Sequence, residues 1–246
     1  MKHNVKKKPT TFFITAPVPC PYLDGKTERR IVTDLTTTDA ISLHDKLSQV
    51  GFRRSHNLVY SPVCNECSAC LAVRNVVDQF KASNSQRRIL RVNHNLIAKE
   101  TLAQATTERF ELFSRYQDVR HKGGDMATMD YYDFQALVEE TPVVTSHIDF
   151  YNEHGTLVAG CLVDTMEDGL SAVYSYFDPK FQKNSLGSYI ILWLIERTKQ
   201  LALPYLYLGY WVGGSQKMAY KDKFRPLEYY SSMGWKRFDK DDLILF

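Results

Sequence analysis

The spacing of apolar residues changes along the chain and predicts a mixture of strands and helices. Residues 143–151, 156–165 and 171–177 are strand-like runs, and turn residues such as Gly155 and Gly169 separate them. They predict three antiparallel strands. Further short apolar runs predict strands at 11–16, 58–63, 71–77 and the start of 205–225, and a strand or a short helix at 96–102.

Four other segments carry apolar residues at helical spacing, and each follows a residue that can cap a helix. The first ends at Gly51, because glycine is the usual residue just beyond a helix. The last, 186–203, is strongly apolar and ends before Pro204. The predicted caps are Thr37 or Thr38, Thr106 or Thr107, Asp130, and Asn184 or Ser185.

The order of these elements predicts an α+β layer fold. The second half of the chain contains two helices, three antiparallel strands, a helix and a strand, in that order. We expect a domain boundary near residue 95. Residues 1–95 then form a smaller N-terminal domain that carries cysteines and arginines, and residues 96–246 form the second domain.

The composition is that of an ordinary globular protein. Of the 246 residues, 44% are hydrophobic and 24% are charged, and the net charge is only +3, so the distribution of basic residues matters more than their sum. No apolar run is long enough to span a bilayer. The basic residues 1–13 lack the apolar stretch and cleavage site of a signal peptide. We therefore expect a cytoplasmic protein with no membrane partner and with reduced thiols.

Four of the five cysteines lie in turn-like segments. Cys20 stands in a turn-rich loop, and Cys64, Cys67 and Cys70 form a C-x2-C-x2-C run. Four thiolates suit Zn²⁺ or an iron–sulfur cluster, but reduced structural cysteines around a tight turn explain the spacing equally well. Cys161 lies inside an apolar strand and is predicted to be a core thiol.

Arginine pairs recur in the first domain. A guanidinium group matches the oxygens of a phosphate or a carboxylate, so repeated pairs indicate a surface that binds one of these anions. Any single pair is typical of a solvated surface. The pairs are Arg29-Arg30, Arg53-Arg54 and Arg87-Arg88.

The segment 205–225 combines a strand, a glycine turn and a cluster of aromatic and basic residues. Gly213-Gly214 allows the backbone to turn sharply or to approach a ligand closely. The alternative is a strand followed by a basic surface turn. The residues of the cluster are Lys217, Tyr220, Lys221, Lys223 and Arg225.

The order of elements in the second half also resembles the GNAT-type acyltransferase fold. Those enzymes bind coenzyme A with an R/Q-x-x-G-x-G/A loop at the start of the helix after the central strands. Here Gln182 and Gly187 fit the first and last positions, but Ser185 replaces the middle glycine. This departure favours an acyl donor other than coenzyme A.

Longer motifs across nearly the whole chain resemble one family, the bacterial aspartate/glutamate leucyltransferases, which are relatives of the eukaryotic arginyl-tRNA–protein transferases. The matching motifs are CPYLDGKTERRIVTDL at 20–35, GFRRSHNLVYSPVCNECSACLAVR at 51–74, SQRR at 85–88, RH-x-GG-x-M at 120–126, DGLSAVYSYFDP at 168–179, SLGSYIILWLIER at 185–197 and LPYLYLGYWVGGSQKMAYKDKFRPLE at 203–228.

The resemblance implies an aminoacyltransferase that moves leucine from leucyl-tRNA to the N-terminal amine of proteins beginning with Asp or Glu. The added leucine would mark those proteins for the N-degron route. The donor ester is already activated, so the chemistry requires no ATP and no organic cofactor. Cysteines of the eukaryotic relatives have been linked to an iron–sulfur cluster, with an early cysteine pair, whereas only Cys20 stands early here.

Under this reading Asp178 orients the incoming ammonium or accepts its proton, unless it only shapes the Asp-Pro turn. The hydroxyl groups of Tyr176, Tyr210 and Tyr220 donate hydrogen bonds near the ester. Two sets of basic residues bind the substrates. Lys217 and Arg225 hold a tRNA phosphate or the acidic side chain of the acceptor, and Arg29, Arg30, Arg53, Arg54, Arg87 and Arg88 contact the acceptor or the tRNA backbone.

Three other functions stay open at this point. Arginyl transfer to the same acceptors keeps the class and changes the donor. A coenzyme A-dependent N-acetyltransferase would act without tRNA. A non-catalytic, metal-bearing RNA-binding module would bind tRNA without any transfer.

Overall fold

The computed structural model describes residues 9–36, 39–121 and 123–239. The predicted caps Thr37 and Thr38 lie outside these residues. The strands are β1 (Phe13–Ile14), β2 (Val18–Pro19), β3 (Thr27–Glu28), β4 (Arg30–Asp34), β5 (Arg53–Ser55), β6 (Leu58–Pro62), β7 (Leu71–Val76), β8 (Ile97–Leu102), β9 (Thr145–Tyr151), β10 (Leu157–Met166), β11 (Gly169–Phe177), β12 (Tyr205–Trp211), β13 (Leu227–Ser231) and β14 (Gly234–Arg237).

The helices follow from local capping and from apolar faces. Thr106 and Asp130 cap their helices by accepting the N–H of the third residue inside, as the sequence predicts. Ser185 precedes the last helix in a left-handed conformation with φ 54°. The helices are α1 (Ala40–Gln49), α2 (Asn84–Val92), α3 (Thr107–Arg120), α4 (Tyr131–Glu139) and α5 (Leu186–Gln200). Of these described helices, none has the length and apolarity to cross a membrane.

A large sheet of eight strands organises the molecule, with the order β14-β13-β7-β12-β11-β10-β9-β8. Strands β8, β9, β10 and β11 pair antiparallel in succession, which confirms the three predicted antiparallel strands and makes 96–102 a strand. Helix α5 then crosses over, so that β12 pairs parallel to β11. The fold is therefore mixed α/β.

Strand β7 belongs to the large sheet although it lies in the first part of the chain. It pairs antiparallel with both β12 and β13. Asn75 fixes it there, because its buried side-chain amide donates to the carbonyl oxygens of Phe224 and Pro226 at 2.8 and 2.9 Å. The large sheet thus contains strands from both sides of the domain boundary that the sequence predicts near residue 95.

A smaller antiparallel sheet, with the order β1-β4-β6-β5, packs beside the large one. Its core contains the fully buried Leu35 and Val59, against which α1 and Phe52 pack. Four cysteines flank this sheet, since Cys20 precedes β3 and the C-x2-C-x2-C run of Cys64, Cys67 and Cys70 links β6 to β7.

Two apolar layers cover the large sheet. One contains α5 and includes Ile190, Leu194 and Trp211. The other contains α3 and α4 and includes Phe113 and Phe134. Cys161 is fully buried in the first layer, which confirms its prediction as a core thiol. Burying each large apolar side chain contributes about 1.5–3 kcal/mol, so these layers hold the sheet and its neighbours rigidly together.

Candidate active site

The parallel strands β11 and β12 part from each other halfway along their length. Residues 169–171 pair with residues 205–207, but β11 continues to Phe177 and β12 to Trp211. The carboxyl-terminal halves still pair with β10 and β7 on their outer edges, but the edges that face each other are not paired with a strand. We call this opening the strand wedge, and we define it by residues 172–177 and 208–211.

Arg53 of the small sheet reaches into the base of the strand wedge. Its Nη1 donates to the Leu208 carbonyl oxygen at 3.5 Å, and its Nη2 donates to those of Ala172 (3.3 Å) and Val173. The guanidinium therefore bridges both strands where their own pairing ends. A cavity of about 20 Å³ beside Arg53 and Tyr210 is large enough for a water molecule.

Gly209 makes room for this guanidinium. Its φ is +71°, a conformation that side chains rarely adopt, and a Cβ built on it would lie 1.5 Å from the Nη1 of Arg53. The pairing of β12 with β7 is also irregular between Tyr207 and Gly209. A larger residue at 209 is therefore incompatible with the position of Arg53.

Lys221 places a second cation beside this base. Its side chain is buried, and its Nζ donates to the Tyr210 carbonyl oxygen at 2.5 Å. Burial lowers the pKa of this ammonium well below its ordinary value, and the nearby charge of Arg53 lowers it further, against a smaller opposing effect of Cys70.

Tyr210 connects the two sheets rather than facing the wedge. It is buried, and its hydroxyl lies within hydrogen-bonding distance of the carbonyl oxygens of Gly51 and Tyr60, at 3.1 and 3.0 Å. Desolvation raises the pKa of this phenol. Its hydroxyl is therefore engaged with the main chain of the small sheet.

Tyr176 ends a buried polar chain under α3. Its hydroxyl lies 2.9 Å from the Nε2 of His147, whose Nδ1 lies 3.0 Å from Asp149. Asp149 is held in turn by two hydrogen bonds from Arg109, at 3.1 and 2.6 Å. The carboxylate favours a proton on Nδ1, so Nε2 accepts from the Tyr176 hydroxyl. All four residues are buried, so this hydroxyl points into the interior rather than into the wedge.

Asp178 lies just beyond β11, at the mouth of the wedge. One of its carboxylate oxygens accepts the Lys180 N–H at 2.9 Å and shapes the turn that leads to α5. The other lies 3.9 Å from the guanidinium of Arg115, whose side chain is 46% exposed. One carboxylate oxygen therefore accepts a main-chain hydrogen bond, and the other faces a solvent-exposed guanidinium.

The end of α3 forms a wall of the same mouth. The ring of Tyr116 packs against Phe177 and His121, with centroids 5.0 and 5.5 Å apart. Burial lowers the pKa of His121, and the cations of Lys217 and Arg120 lower it further, so these charges lie near the imidazole. Lys217 itself is exposed.

Tyr220 is the most accessible of the three predicted tyrosines, with 37% of its surface exposed. The Lys221 ammonium lies 6.0 Å from its ring centroid. Among the residues that the structure describes, its hydroxyl donates no hydrogen bond. Of the three phenols, this one is best placed to meet a ligand.

The other predicted basic residues fall into three groups. Arg225 is half-buried and donates to the Phe238 carbonyl oxygen at 2.5 Å, and Arg54 is buried against Asp164. Arg87 and Arg88 are exposed on α2. Arg29 and Arg30 are half-buried; Arg29 donates to the Thr15 carbonyl oxygen, and Arg30 pairs with Glu28 at 2.6 Å.

Cys20, Cys64, Cys67 and Cys70 lie near one another. Burial, followed by smaller effects of the other three cysteines, raises the pKa of the Cys70 thiol to about 12. Within residues 9–36, 39–121 and 123–239, however, no three His, Cys, Asp or Glu side chains are positioned to hold a metal ion. We therefore derive no chemical step through a metal ion or cluster.

The sequence does not reveal the roles of several residues in this region. Lys221 belongs to the aromatic and basic cluster of 205–225, but no signal distinguishes it from the neighbouring surface lysines, and His147, Asp149 and Arg109 meet only in the folded chain. Gly209 does carry a signal, because an isolated glycine inside a strand indicates a bulge or a close approach.

Comparison with known proteins places the chain in a family. Residues 18–88 match the family model described as arginine-tRNA-protein transferase, N terminus, and residues 108–231 match the model of its C terminus. Proteins named aspartate/glutamate leucyltransferase are similar along nearly the full length. That of Paramagnetospirillum magneticum is 52% identical over 242 residues, with 98% of this chain and 99% of the relative covered.

Further relatives agree. The protein of the same name from Gluconacetobacter diazotrophicus is 49% identical over 243 residues and covers 99% of this chain and 94% of its own. That of Rhodospirillum rubrum is 48% identical over 234 residues, with 95% of each chain covered.

Similar solved structures are more distant. L-PGS from Bacillus licheniformis has a TM-score of 0.48 and 11% identity, over 72% of this chain and 63% of its own. FemX has a TM-score of 0.45 and 7% identity, over 82% and 79%. The assignment rests on the sequence relatives and not on these structures. The chain belongs to the aspartate/glutamate leucyltransferase family and contains both arginine-tRNA-protein transferase regions in order, which makes it an aminoacyltransferase.

Proposed function

We propose that the protein transfers leucine from leucyl-tRNA to the N-terminal α-amine of proteins that begin with Asp or Glu, and so marks them for N-degron degradation. The observation that carries this proposal is its near full-length relationship to proteins named for aspartate/glutamate leucyl transfer. Leucine as the donor residue, and Asp or Glu as the acceptor residue, follow from those names.

The topology supports acyl transfer. The succession β8, α3, α4, β9 to β11, α5 and β12 corresponds to a GNAT-like acyltransferase domain, and the strand wedge lies between its two parallel strands. Unpaired main-chain groups and a helix start then surround one opening. A donor ester that enters this opening would meet the mouth formed by Asp178, Tyr220 and Lys217.

The proposed reaction balances without any further reactant. The neutral α-amine of the acceptor attacks the ester carbonyl carbon of leucyl-tRNA, and a C–N amide bond forms. The C–O bond to the terminal ribose breaks, and the ribose oxygen takes up the proton that the amine loses. An α-amine has a pKa of about 7.7–8.0, so a mild base suffices. Positioning and oxyanion stabilisation supply most of the rate enhancement.

The residues at the mouth of the wedge divide these tasks. Asp178 orients the incoming ammonium and accepts its proton, because its second carboxylate oxygen faces the exposed Arg115 rather than a buried partner. Tyr220 donates its hydroxyl to the developing oxyanion. The exposed Lys217 holds a phosphate near the 3′ end of the tRNA.

Other predicted residues support the site indirectly. Tyr176 and Tyr210 are hydrogen-bonded in the interior and stabilise the strands that border the wedge. Arg225 fixes the loop between Tyr220 and β13 through Phe238. Arg87 and Arg88, exposed on α2, contact the tRNA backbone in this proposal. The donor ester is already activated, so the proposed reaction requires no metal or cluster on the cysteines.

A transfer assay tests the proposal. Purified protein is offered peptides that begin with Asp, Glu or Lys, each with labelled leucyl-tRNA, arginyl-tRNA or acetyl-coenzyme A. We expect leucine on the acidic peptides alone. Arginine transfer instead would change the donor, acetyl transfer without tRNA would change the reaction, and tRNA binding without transfer would indicate a non-catalytic module.

A further inference from the structure

Two cationic side chains lie at the base of the strand wedge without a carboxylate partner. Arg53 and Lys221 form no ion pair with any residue that the structure describes, and their hydrogen bonds go to main-chain carbonyl oxygens and, for Lys221, to the sulfur of Met218 at 3.8 Å. They lie close together, because Lys221 binds the carbonyl of Tyr210, the neighbour of Gly209, and Gly209 contacts Arg53.

Arg53 is half-buried and Lys221 is buried, and both differ from the buried arginines of the protein, which have carboxylate partners. Arg54 is paired with Asp164 at 2.6 Å, Arg74 with Glu228 at 2.9 Å, and Arg109 with a carboxylate at 2.6 Å. A desolvated cation without an anion is costly, and the nearby charge of Arg53 disfavours the protonated form of Lys221. The base of the wedge is therefore a place where a bound anion would be stabilised.

Arg53 has donors left for such an anion. Its three hydrogen bonds use Nη1 and Nη2, and within the described residues its Nε–H has no partner. A guanidinium presents its N–H groups in a planar fork that matches a carboxylate. Carbonyl oxygens of Ala172 and Leu208 hold the fork in place, so little freedom is lost when an anion binds.

The position also fits the geometry of the acceptor. The carboxylate of an N-terminal Asp or Glu is separated from its α-amine by only one or two methylene groups, so its binding site must lie beside the reacting amine. Lys221 directly follows Tyr220, which we place next to the ester, and its ammonium lies 6.0 Å from the ring of that residue.

We propose that Arg53, with Lys221 behind it, binds the side-chain carboxylate of the acceptor's N-terminal Asp or Glu and so determines acceptor specificity. This inference rests on the proposed function. It gives Arg53 a role in reading the acceptor and none in binding tRNA. Gly209 is required because only glycine admits the guanidinium to this position.

The test measures how strongly an acidic acceptor is preferred over its neutral amide. Peptides that begin with Asp, Asn, Glu or Gln are compared for kcat/KM in wild type, Arg53→Gln, Arg53→Lys and Lys221→Met. We expect Arg53→Gln to reduce the ratio of kcat/KM for the Asp peptide to that for the Asn peptide by about 10- to 100-fold, because a hydrogen bond to a charged group is lost. The change should come from a higher KM for the Asp peptide. KM for leucyl-tRNA should change by less than about threefold.

The other variants refine this result. Arg53→Lys keeps the charge but loses the fork, and Lys221→Met removes the second cation, so each should reduce the ratio less than Arg53→Gln. Arg237→Gln, at an exposed position of β14, is the matched control and should leave the ratio unchanged. Circular dichroism and the thermal midpoint identify variants that fail to fold. If Arg53→Gln does not fold, Arg53→Lys and Lys221→Met decide by the same ratio.

An unchanged Asp-over-Asn ratio in the folded variants would overturn the inference. Calorimetry measures the affinity of the same peptides for the protein without tRNA, and so tests the carboxylate site separately from the proposed transfer reaction. If wild type transfers leucine to no acidic peptide, the proposed function fails. Tighter binding of the Asp peptide than of the Asn peptide, lost in the Arg53 variants, would still support the carboxylate site, and equal binding would reject it.

Discussion

The Arg54 guanidinium holds the Asp164 carboxylate through two hydrogen bonds, Nε to Oδ2 at 2.6 Å and Nη2 to Oδ1 at 2.7 Å. Arg54 lies in β5 of the small sheet and Asp164 in β10 of the large sheet, and both side chains are buried. Thr145 donates a further hydrogen bond to the same carboxylate at 2.7 Å. The pair therefore joins the two sheets and fixes the position from which the neighbouring Arg53 enters the wedge.

Breaking this pair should destabilise the protein strongly. Removing one partner leaves an uncompensated buried charge, so we expect Arg54→Met or Asp164→Leu to lower the free energy of unfolding by about 3–5 kcal/mol. The double variant should regain much of that loss, because no buried charge remains. Urea unfolding of the four proteins in a double-mutant cycle measures both effects.

The exposed pair Arg197–Glu100, 2.9 Å apart, is the control. Its removal should cost at most about 1 kcal/mol, since solvent screens exposed pairs. A similar small cost at Arg54 would contradict the structural role of the buried pair.

The charge of Asp178 should be needed for catalytic turnover but not for the backbone turn that begins at this residue. Asp178→Asn keeps an oxygen that can accept the Lys180 N–H, but it removes the carboxylate that we propose to orient and deprotonate the amine. We expect kcat to fall by about 100-fold or more with little change in the thermal midpoint. Steady-state kinetics with an Asp peptide and leucyl-tRNA measure this.

Asp130 provides the matched control, because it also caps a helix by accepting a main-chain N–H, at 2.9 Å. Asp130→Asn should keep full activity. Full turnover by Asp178→Asn would leave Asp178 with the capping role alone.

Gly209 should tolerate alanine far less well than another glycine of similar conformation. The φ of Gly209 is +71° and its added Cβ would meet Arg53, whereas Gly155 has φ +74° and nothing within 4 Å. Both substitutions carry the left-handed backbone cost of about 1–2 kcal/mol. The excess loss in Gly209→Ala therefore measures the displacement of Arg53.

Urea unfolding and the Asp-over-Asn ratio together test this prediction. We expect Gly209→Ala to be the less stable protein and to lose acceptor preference, while Gly155→Ala keeps it. Equal stability of the two variants would mean that Arg53 relaxes without cost.

Stability should fall as the pH drops below about 6.5, the ordinary pKa of histidine. Burial lowers the pKa of both His44 and His147, with Asp164 and Asp149 respectively opposing the shift. Below pH 6.5 the unfolded chain therefore binds protons that the folded protein excludes, and each such proton contributes up to about 1.4 kcal/mol per pH unit.

The urea midpoint at a series of pH values between about 5.5 and 7.5 shows the effect. His147→Gln should flatten this dependence, and His154→Gln, on an exposed turn, should leave it unchanged. If His147→Gln has the same slope as wild type, protonation of that imidazole does not couple to unfolding.

Local features of the sequence determined the helices and strands of the second half. Thr106 and Asp130 cap their helices through residues three positions away, and the strands β9 to β11 follow from short-range alternation and turns. These signals act over a few residues, so the elements can be predicted from the sequence without knowledge of the fold. Motifs spread over nearly the whole chain likewise identified the family, which the relatives confirm.

The tertiary structure alone decided what the chemically similar residues do. Arg53 and Arg54 are adjacent, but successive side chains of a strand point to opposite faces, so one enters the wedge and the other is buried on Asp164. Tyr176 and Tyr220 look equivalent in the sequence, yet one binds His147, 29 positions away, and the other is exposed. Strand β7 likewise pairs with β12 and β13, which lie far from it in the chain. Partners far apart in the chain are chosen by packing and by the need to satisfy buried polar groups, and neither leaves a local signal.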